Sequence, residues 1–450
     1  MWSRVSHCPG TTGHRTTKKG KPLSLPGLAM HEVVHLSFGP QANEVNSAFY
    51  NRQTEYFVFT KEDAAKSAVD PNVRFVYGRE YTPRALFWDY RNGFGKWQQY
   101  NENYEAPQSA EAIARDQLPM APAPPGSPSR SSTSQGFSSW TSRLKFPIHP
   151  KSAHTIPDWE IDYSTAPFGR QRGAPEGQQV EFDTMDEGEE QFQAMGNRDD
   201  YMDETLRPLL EKCDLLDGVN LVTDLGGWAG FTAPYLELMR DEYLPRQPVF
   251  TWAVSRNLPK IKWAGQVSRL KALASLAEFS SLVLPLQDGL AETDFAANAA
   301  AHLRAFETTC LLSSLRNNRV SMHSLYEDLT MNAPRAGIAQ VGDNRLREFA
   351  TTMEPTKTNN TVNIFRGAQR PAELDEPRAR DENLRQYWCA QPLPHQDPTS
   401  TYELKLETND APLQLRKLVA RAPHDLRELV FDLTEPYVWG WHDSDDDDFI

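Results

Sequence analysis

Only 4 cysteines occur in the 450 residues, Cys8, Cys213, Cys310 and Cys389, and no two have the spacing of a zinc site or a disulfide framework. A reducing compartment, the cytosol or a surface facing it, fits that scarcity. No apolar run approaches the roughly 18 residues needed to span a bilayer, so membrane contact is expected only peripherally or through a partner. No basic stripe follows residue 29. With 47 basic and 61 acidic residues the net charge is −14, which argues against a general nucleic-acid binder, because counterion release needs clustered Lys and Arg. His31, His35, His302, His323, His395 and His442 have no metal-ligand spacing. A serine nucleophile elbow and a Glu-bearing zinc motif are also missing, so no catalytic or metal-binding residue is nominated.

What is present suits a large globular protein: 39% hydrophobic and 10% aromatic residues, with 33 prolines pointing to irregular stretches between ordered ones. Residues 1–29 carry Arg4, Arg15, Lys18, Lys19 and Lys21 without an acid, but Pro9, Gly10, Gly13, Gly20 and Pro22 would break the amphipathic helix of a presequence. They are expected to be a disordered or extraneous basic extension. Residues 98–180 are rich in Pro and Ser through Ser139 and read as a mostly disordered insertion. Within its second half, Trp140, Phe146, Trp159 and Tyr163 are candidates to pin it to the body. Residues 443–450 read as a solvated acidic tail.

Between these lie strand-loop-helix units. Val33–Phe38 is an apolar strand, followed by Gly39-Pro-Gln-Ala and a helix expected from Asn43, its candidate N-cap. A second strand at Arg84–Trp88 ends on Asp89 and is followed by the turn Arg91-Asn-Gly-Phe-Gly95. A helix capped by Asp203 is expected to carry Leu206, Leu209, Leu210, Cys213 and Leu216. The stretch Val219 to Tyr243 then reads as strand, glycine loop and amphipathic helix, and Pro248–Ser255 as another strand, an alternation that builds a parallel sheet. Helices are expected over 262–282, 288–316 and Leu413–Leu433, and a late strand at Val362–Phe365.

The glycine loop has the architecture of a phosphate loop. Gly226, Gly227 and Gly230 would let backbone amides at a helix start approach an anion. Trp228 and Phe231 stand where small or hydroxylated residues would serve better, and Pro234 is expected to remove a donor from the first turn. For the glycines a structural turn is favoured over residual nucleotide binding; for Asp89 a turn or helix cap is favoured over magnesium coordination.

Three segments together resemble the tubulin superfamily: Val34–Tyr50, Pro83–Asp89, and Cys213–Gly230 with Met239–Tyr243. They are similar to its opening strand and first nucleotide loop, its second strand with acidic end, and its signature loop. Trp228, Ala229, Phe231, Thr232 and Pro234 replace most of that signature. Pro40, Ala42 and Arg91 also depart from the pattern. This degeneracy, the start at Met30-His-Glu-Val-Val and the long insertion resemble the Misato family, its fungal branch especially. The resemblance is specific over about 30–97 and 200–255.

The resemblance implies a tubulin/FtsZ-like α/β fold with a Rossmann-type parallel sheet, split into 30–97 and 181–258 by the insertion. A smaller helical or α+β domain over 259–442 would follow. It also implies a vestigial nucleotide site of Gly39, Asn43, Asp89, Gly226, Gly227 and Gly230, with a guanine nucleotide as the only cofactor to consider. In tubulin-like hydrolysis an acid from a second subunit's loop positions water. The matching loop here, Arg316–Met322, has Ser321 at that place, so hydrolysis is not expected, with Glu327 and Asp328 the nearby acids that keep the point open. The implied role is non-catalytic, in mitochondrial distribution, morphology and mitochondrial DNA inheritance, at the cytosol-facing outer surface of mitochondria and in the cytoplasm. Two alternatives stand beside it: a tubulin-assembly factor whose partners are tubulin or a cytosolic chaperonin, and a divergent GTPase.

Overall fold

The computed structural model describes residues 31–57, 67–77, 81–95, 139–161, 169–171, 184–196, 198–255, 263–287, 295–330, 337–342, 360–367, 384–391 and 401–409. The expected basic extension, Tyr163, the helix at Leu413–Leu433 and the acidic tail lie outside them.

Apolar runs such as Val33–Phe38, closed by Gly39, and Val219–Thr223, closed by Asp224, form the central strands, and the segments after them form covering helices. In chain order the strands are β1 (Glu32–Phe38), β2 (Phe75–Tyr77), β3 (Tyr81–Pro83), β4 (Ala85–Arg91), β5 (Ala153–Ile161), β6 (Gly169–Gln171), β7 (Leu216–Asp224), β8 (Val249–Ser255), β9 (Leu282–Gln287), β10 (Gly337–Gly342), β11 (Asn360–Arg366), β12 (Leu384–Cys389) and β13 (Tyr402–Asn409). The helices are α1 (Pro40–Gln53), α2 (Met185–Ala194), α3 (Arg198–Thr205), α4 (Arg207–Leu210), α5 (Gly227–Glu242), α6 (Trp263–Phe279), α7 (Phe295–Leu312) and α8 (Met322–Thr330).

Strands β2 and β3 form a separate hairpin; the rest join one 11-stranded sheet in the order β12-β11-β13-β10-β9-β8-β7-β1-β4-β5-β6. From β10 through β5 every neighbouring pair is parallel. Such a sheet is covered on both faces, which is why β1 is buried along its whole length instead of alternating with water. Val33, Ala85, Phe87 and Trp252 face a core built with α1, α7 and α8. Val34, Leu36, Trp88 and Leu221 face the opposite core, built with α2, α5 and α6.

Three expectations change. Part of the stretch 98–180 is folded: Phe87–Tyr90 of β4 pair in parallel with Ala153–Ile156 of β5, while Trp140, Phe146, Ile148 and Trp159 are buried. These large apolar side chains overcome a polar, proline-rich context that propensity alone reads as disorder. The helix expected from Asp203 to Leu216 is shorter; α3 and α4 end at Leu210 and Leu216 opens β7. Finally, the sheet runs on across residue 258, because β8 and β9 are parallel neighbours. Strands β9 to β13 therefore extend the first sheet.

One buried cation ties β1 to the end of α7. Arg74 sits 1% exposed behind β1. It contacts His35 Nε2 at 2.6 Å and donates to Ser314 Oγ and Ser313 Oγ, each at 2.9 Å, and to the Cys310 carbonyl. Burial first, then the Arg74 charge, holds the His35 pKa well below its ordinary value. The ring is therefore a neutral acceptor at Nε2, with Nδ1 turned to Asn46 Oδ1 at 3.3 Å.

Candidate functional site

Strands β4, β1 and β7 are neighbours with parallel register, so their carboxyl ends bring Asp89, Gly39 and Asp224 to one edge of the sheet. That edge is where α/β sheets receive ligands. Five of the six nominated residues lie in loops or first turns at this edge, and the sixth, Asp89, lies near the end of β4.

Helix α1 starts at Pro40, three positions before the expected cap. Gly39 is the cap residue, at φ +102°, and its N–H donates to the Trp88 carbonyl at 3.1 Å. A side chain there would be strained by the backbone and would also place Cβ 2.6 Å from Asp224 Oδ2. Pro40 lacks an N–H where none is needed. The next two amides, of Gln41 and Ala42, donate to Asp224 Oδ2 at 3.1 Å and Oδ1 at 2.6 Å. Thus the end of α1 that would receive a phosphate already holds a carboxylate from the end of β7.

Asn43 is therefore inside the first turn, fully buried, and not the cap. Its Nδ2 donates to the Trp88 carbonyl at 2.9 Å and to Asp89 Oδ2 at 3.0 Å. Asp89 also accepts from Trp140 Nε1 at 2.7 Å and from the Tyr90 amide at 2.7 Å. It is 0% exposed, and a Cβ on Gly93 would lie 2.3 Å from its carboxyl carbon. With its oxygens engaged by an indole, a carboxamide and a backbone amide, Asp89 is built as an organiser of the turn after β4. Burial raises its pKa to about 6, against the lowering effect of those three hydrogen bonds.

That shift has a testable sign. The folded pKa lies above the unfolded value near 4, so the folded state holds the proton more tightly. The stabilising contribution is complete below about pH 4 and is lost as pH rises through about 6, amounting to about 3 kcal/mol. Denaturant titrations from pH 4 to pH 7 are expected to show this decline, and Asp89→Asn to remove most of it. An unchanged slope in the variant would count against the assignment.

The glycine loop is occupied from within. Trp228, 2% exposed, lies 5.1 Å from the Tyr90 ring and against Gly39, whose missing Cβ would sit 2.8 Å from its Cδ1. Phe231, fully buried, packs on Phe192 of α2 at 5.4 Å and on Phe38 at 6.0 Å. Gly230 turns towards α2: a Cβ on it would lie 1.9 Å from the Met185 carbonyl oxygen, and one on Gly188 would lie 1.9 Å from the Gly227 carbonyl oxygen. Two helices thus cross backbone to backbone, and Gly227 and Gly230 serve that crossing. Gly226 caps α5 with extended backbone and no side-chain bond. Pro234 lies well inside α5, not in its first turn as expected, so its missing N–H takes no donor from the loop.

The segment Arg316–Met322 is elsewhere. Arg319 pairs with Asp217 Oδ2 at 3.2 Å, and the Met322 amide donates to the same oxygen at 3.3 Å, at the opposite end of β7 from Asp224. Ser321 Oγ accepts from the Ser324 amide at 3.0 Å, a helix cap for α8. Glu327 pairs with His323 at 3.2 Å and Asp328 with Arg385 at 3.3 Å. Among the described residues, no group of three or more His, Cys, Asp or Glu side chains could hold a metal ion.

Sequence reasoning missed Asp224 and Gly188, and it named Trp140 only as an anchor of the insertion, not as the partner of Asp89. Asp224 had one signal, an acid closing an apolar strand just before Gly226 and Gly227. Gly188 had none, since its role depends on a helix distant in the chain.

A family described as Misato Segment II tubulin-like domain matches residues 31–139, and one described as Tubulin domain matches residues 128–316. Protein DML1 of Yarrowia lipolytica is 26% identical over 93% of this chain and 99% of its own length. Protein DML1 of Gibberella zeae is 27% identical over 63% of this chain, and protein dml-1 of Neurospora crassa 28% over 74%. The matched regions span 59% and 65% of those two longer relatives. The sheet with helices on both faces is the α/β, tubulin/FtsZ-like class that these matches describe.

Proposed function

Since this chain belongs to the Misato family of tubulin-like proteins, we propose that it is a non-catalytic member acting in mitochondrial distribution and morphology and in the inheritance of mitochondrial DNA. The reading takes its cellular role from the family resemblance. Its non-catalytic character is supported by one observation above all: the amides of Gln41 and Ala42, at the helix start that would hold a phosphate, are bonded to the chain's own Asp224. Trp228 against Gly39 and the enclosed Asp89 agree with it, because hydrolysis of a nucleoside triphosphate needs an open phosphate cradle and a reachable metal.

On this reading the protein acts through protein partners, with tubulin or a cytosolic chaperonin the first to test, at the cytosol-facing surface of mitochondria. No helix among the described residues is long and apolar enough to cross a membrane, so partner-borne attachment is the route proposed.

Rapid depletion, with mitochondria, their DNA and microtubules followed in the same cells, tests the role. Early mitochondrial fragmentation or clustering and loss of mitochondrial DNA are expected while microtubules remain intact. Microtubule loss preceding any organelle defect would instead favour a tubulin-assembly factor. Normal mitochondria throughout would refute both.

A further inference from the structure

We propose that Asp224 is a built-in ligand: its carboxylate takes the place of a phosphate group at the start of α1 and shuts the site against phosphate-bearing ligands. This deepens the non-catalytic reading, on which its biological meaning rests.

The geometry differs from ordinary helix capping, in which the residue just before the helix bonds its own first turn. Asp224 comes from another strand, 183 positions away from Gln41 in sequence, and spans two successive amides with its two oxygens. Those donors lie at the positive end of a 14-residue helix. Gly39 is matched to the arrangement, since any side chain there would collide with the carboxylate and with Trp228 Cδ1. Asp224 itself is 8% exposed and therefore has little water to exchange for these bonds. A phosphate reaching the same amides would have to displace the carboxylate, or lie within a few ångströms of it in a poorly screened place, where like charges repel strongly. Binding by the wild-type chain is excluded on both counts. Removing the carboxylate leaves two unpaired donors at a helix start, the chemistry that takes a small oxyanion.

The test uses the purified full chain and its Asp224→Ala and Asp224→Asn variants, with thermal unfolding measured in sodium formate and in sodium chloride of equal ionic strength. The alanine variant is expected to unfold a few degrees lower and to recover part of the loss in formate, whose carboxylate fits the vacated place. Wild type and the asparagine variant, whose side chain still fills the space, should respond to formate no more than to chloride. Inorganic phosphate and GTP provide two further arms. Recovery of the alanine variant by phosphate would show that the place accepts a free phosphate, and recovery by GTP that it accepts a nucleotide. Equal stabilisation of wild type and variant by any of these anions would overturn the proposal, as would GTP retained by wild type through dialysis.

If the alanine variant does not fold, hydrogen exchange in Asp224→Asn decides. Asparagine offers one acceptor oxygen for two amides, so exchange at Gln41 or Ala42 should accelerate by roughly tenfold, the equivalent of about 1.4 kcal/mol. Unchanged protection at both amides would overturn the proposal. These readouts concern stability and anion response, so they can fail while the depletion phenotype holds, and the reverse.

Discussion

Replacing Gly230 with alanine is expected to destabilise the protein by on the order of 3 kcal/mol, at the upper end of what overpacking costs. The added methyl carbon would lie 1.9 Å from the Met185 carbonyl oxygen and 2.9 Å from the Met185 Cα. Both are backbone atoms, so no rotamer change relieves the overlap and α2 must move away from α5. Movement in turn loosens Phe231 against Phe192 and the hydrogen bond from the Met185 amide to Ser268 Oγ at 3.0 Å. Gly188→Ala should cost a similar amount, because its methyl would meet the Gly227 carbonyl oxygen at 1.9 Å and the Phe231 nitrogen at 2.6 Å. The double variant should cost clearly less than the sum, since the first substitution has already parted the helices. Chemical denaturation of the three variants measures this. Additive effects, or a change under about 1 kcal/mol at Gly230, would mean that the glycine is kept for the loop and not for the crossing.

Glu307→Ala should have an effect at least as large. Glu307 of α7 is fully buried and its Oε2 meets Arg366 Nη1 of β11 at 3.1 Å and Arg52 Nη1 of α1 at 2.7 Å. Burial alone would lower the Arg366 pKa, but the carboxylate of Glu307, with Tyr56 beside it, outweighs burial and leaves it raised. Without Glu307 the Arg366 guanidinium, 0% exposed, is an uncompensated buried charge. Removing one partner of such a pair typically costs about 3–5 kcal/mol. The pair itself is imperfect, since Glu307 Oε1 and Arg366 Nη2 have no hydrogen-bond partner among the described residues. The double variant Glu307→Leu with Arg366→Met should therefore regain most of the lost stability. A double variant as unstable as Glu307→Ala would indicate that the ion pair itself holds β11 and α1 together.

How much of this could be read from residue order varies from element to element. Val33–Phe38 and Val219–Asp224 are largely apolar and carry β-branched residues, and a glycine follows the first directly, at Gly39, and the second after Leu225, at Gly226. Local chemistry of that kind declares strand, loop and helix without reference to the rest of the chain. The strand before Asp89 was legible for the same reason. Trp140 was only partly legible, because a large aromatic in a serine-rich run signals some burial but not its partner, which is Asp89, 51 residues earlier. The helix start at Gly39 was misplaced because Asn43 is a better cap by residue type, whereas the cap function falls to a carboxylate supplied from β7.

By itself, then, the sequence determined the strand-loop-helix units, the parallel α/β class, the placing of Gly39, Asp89 and the Gly226–Gly230 loop at strand ends, and the eroded phosphate signature. Each of these follows from local periodicity and from the few backbone conformations that glycine and proline permit or forbid. Tertiary structure alone decided that β13 enters the sheet between β10 and β11, that α2 crosses α5 on glycines, and that Asp224 satisfies α1. Those outcomes depend on which distant surfaces can be buried together with their polar groups paired, and a linear pattern does not specify the partner.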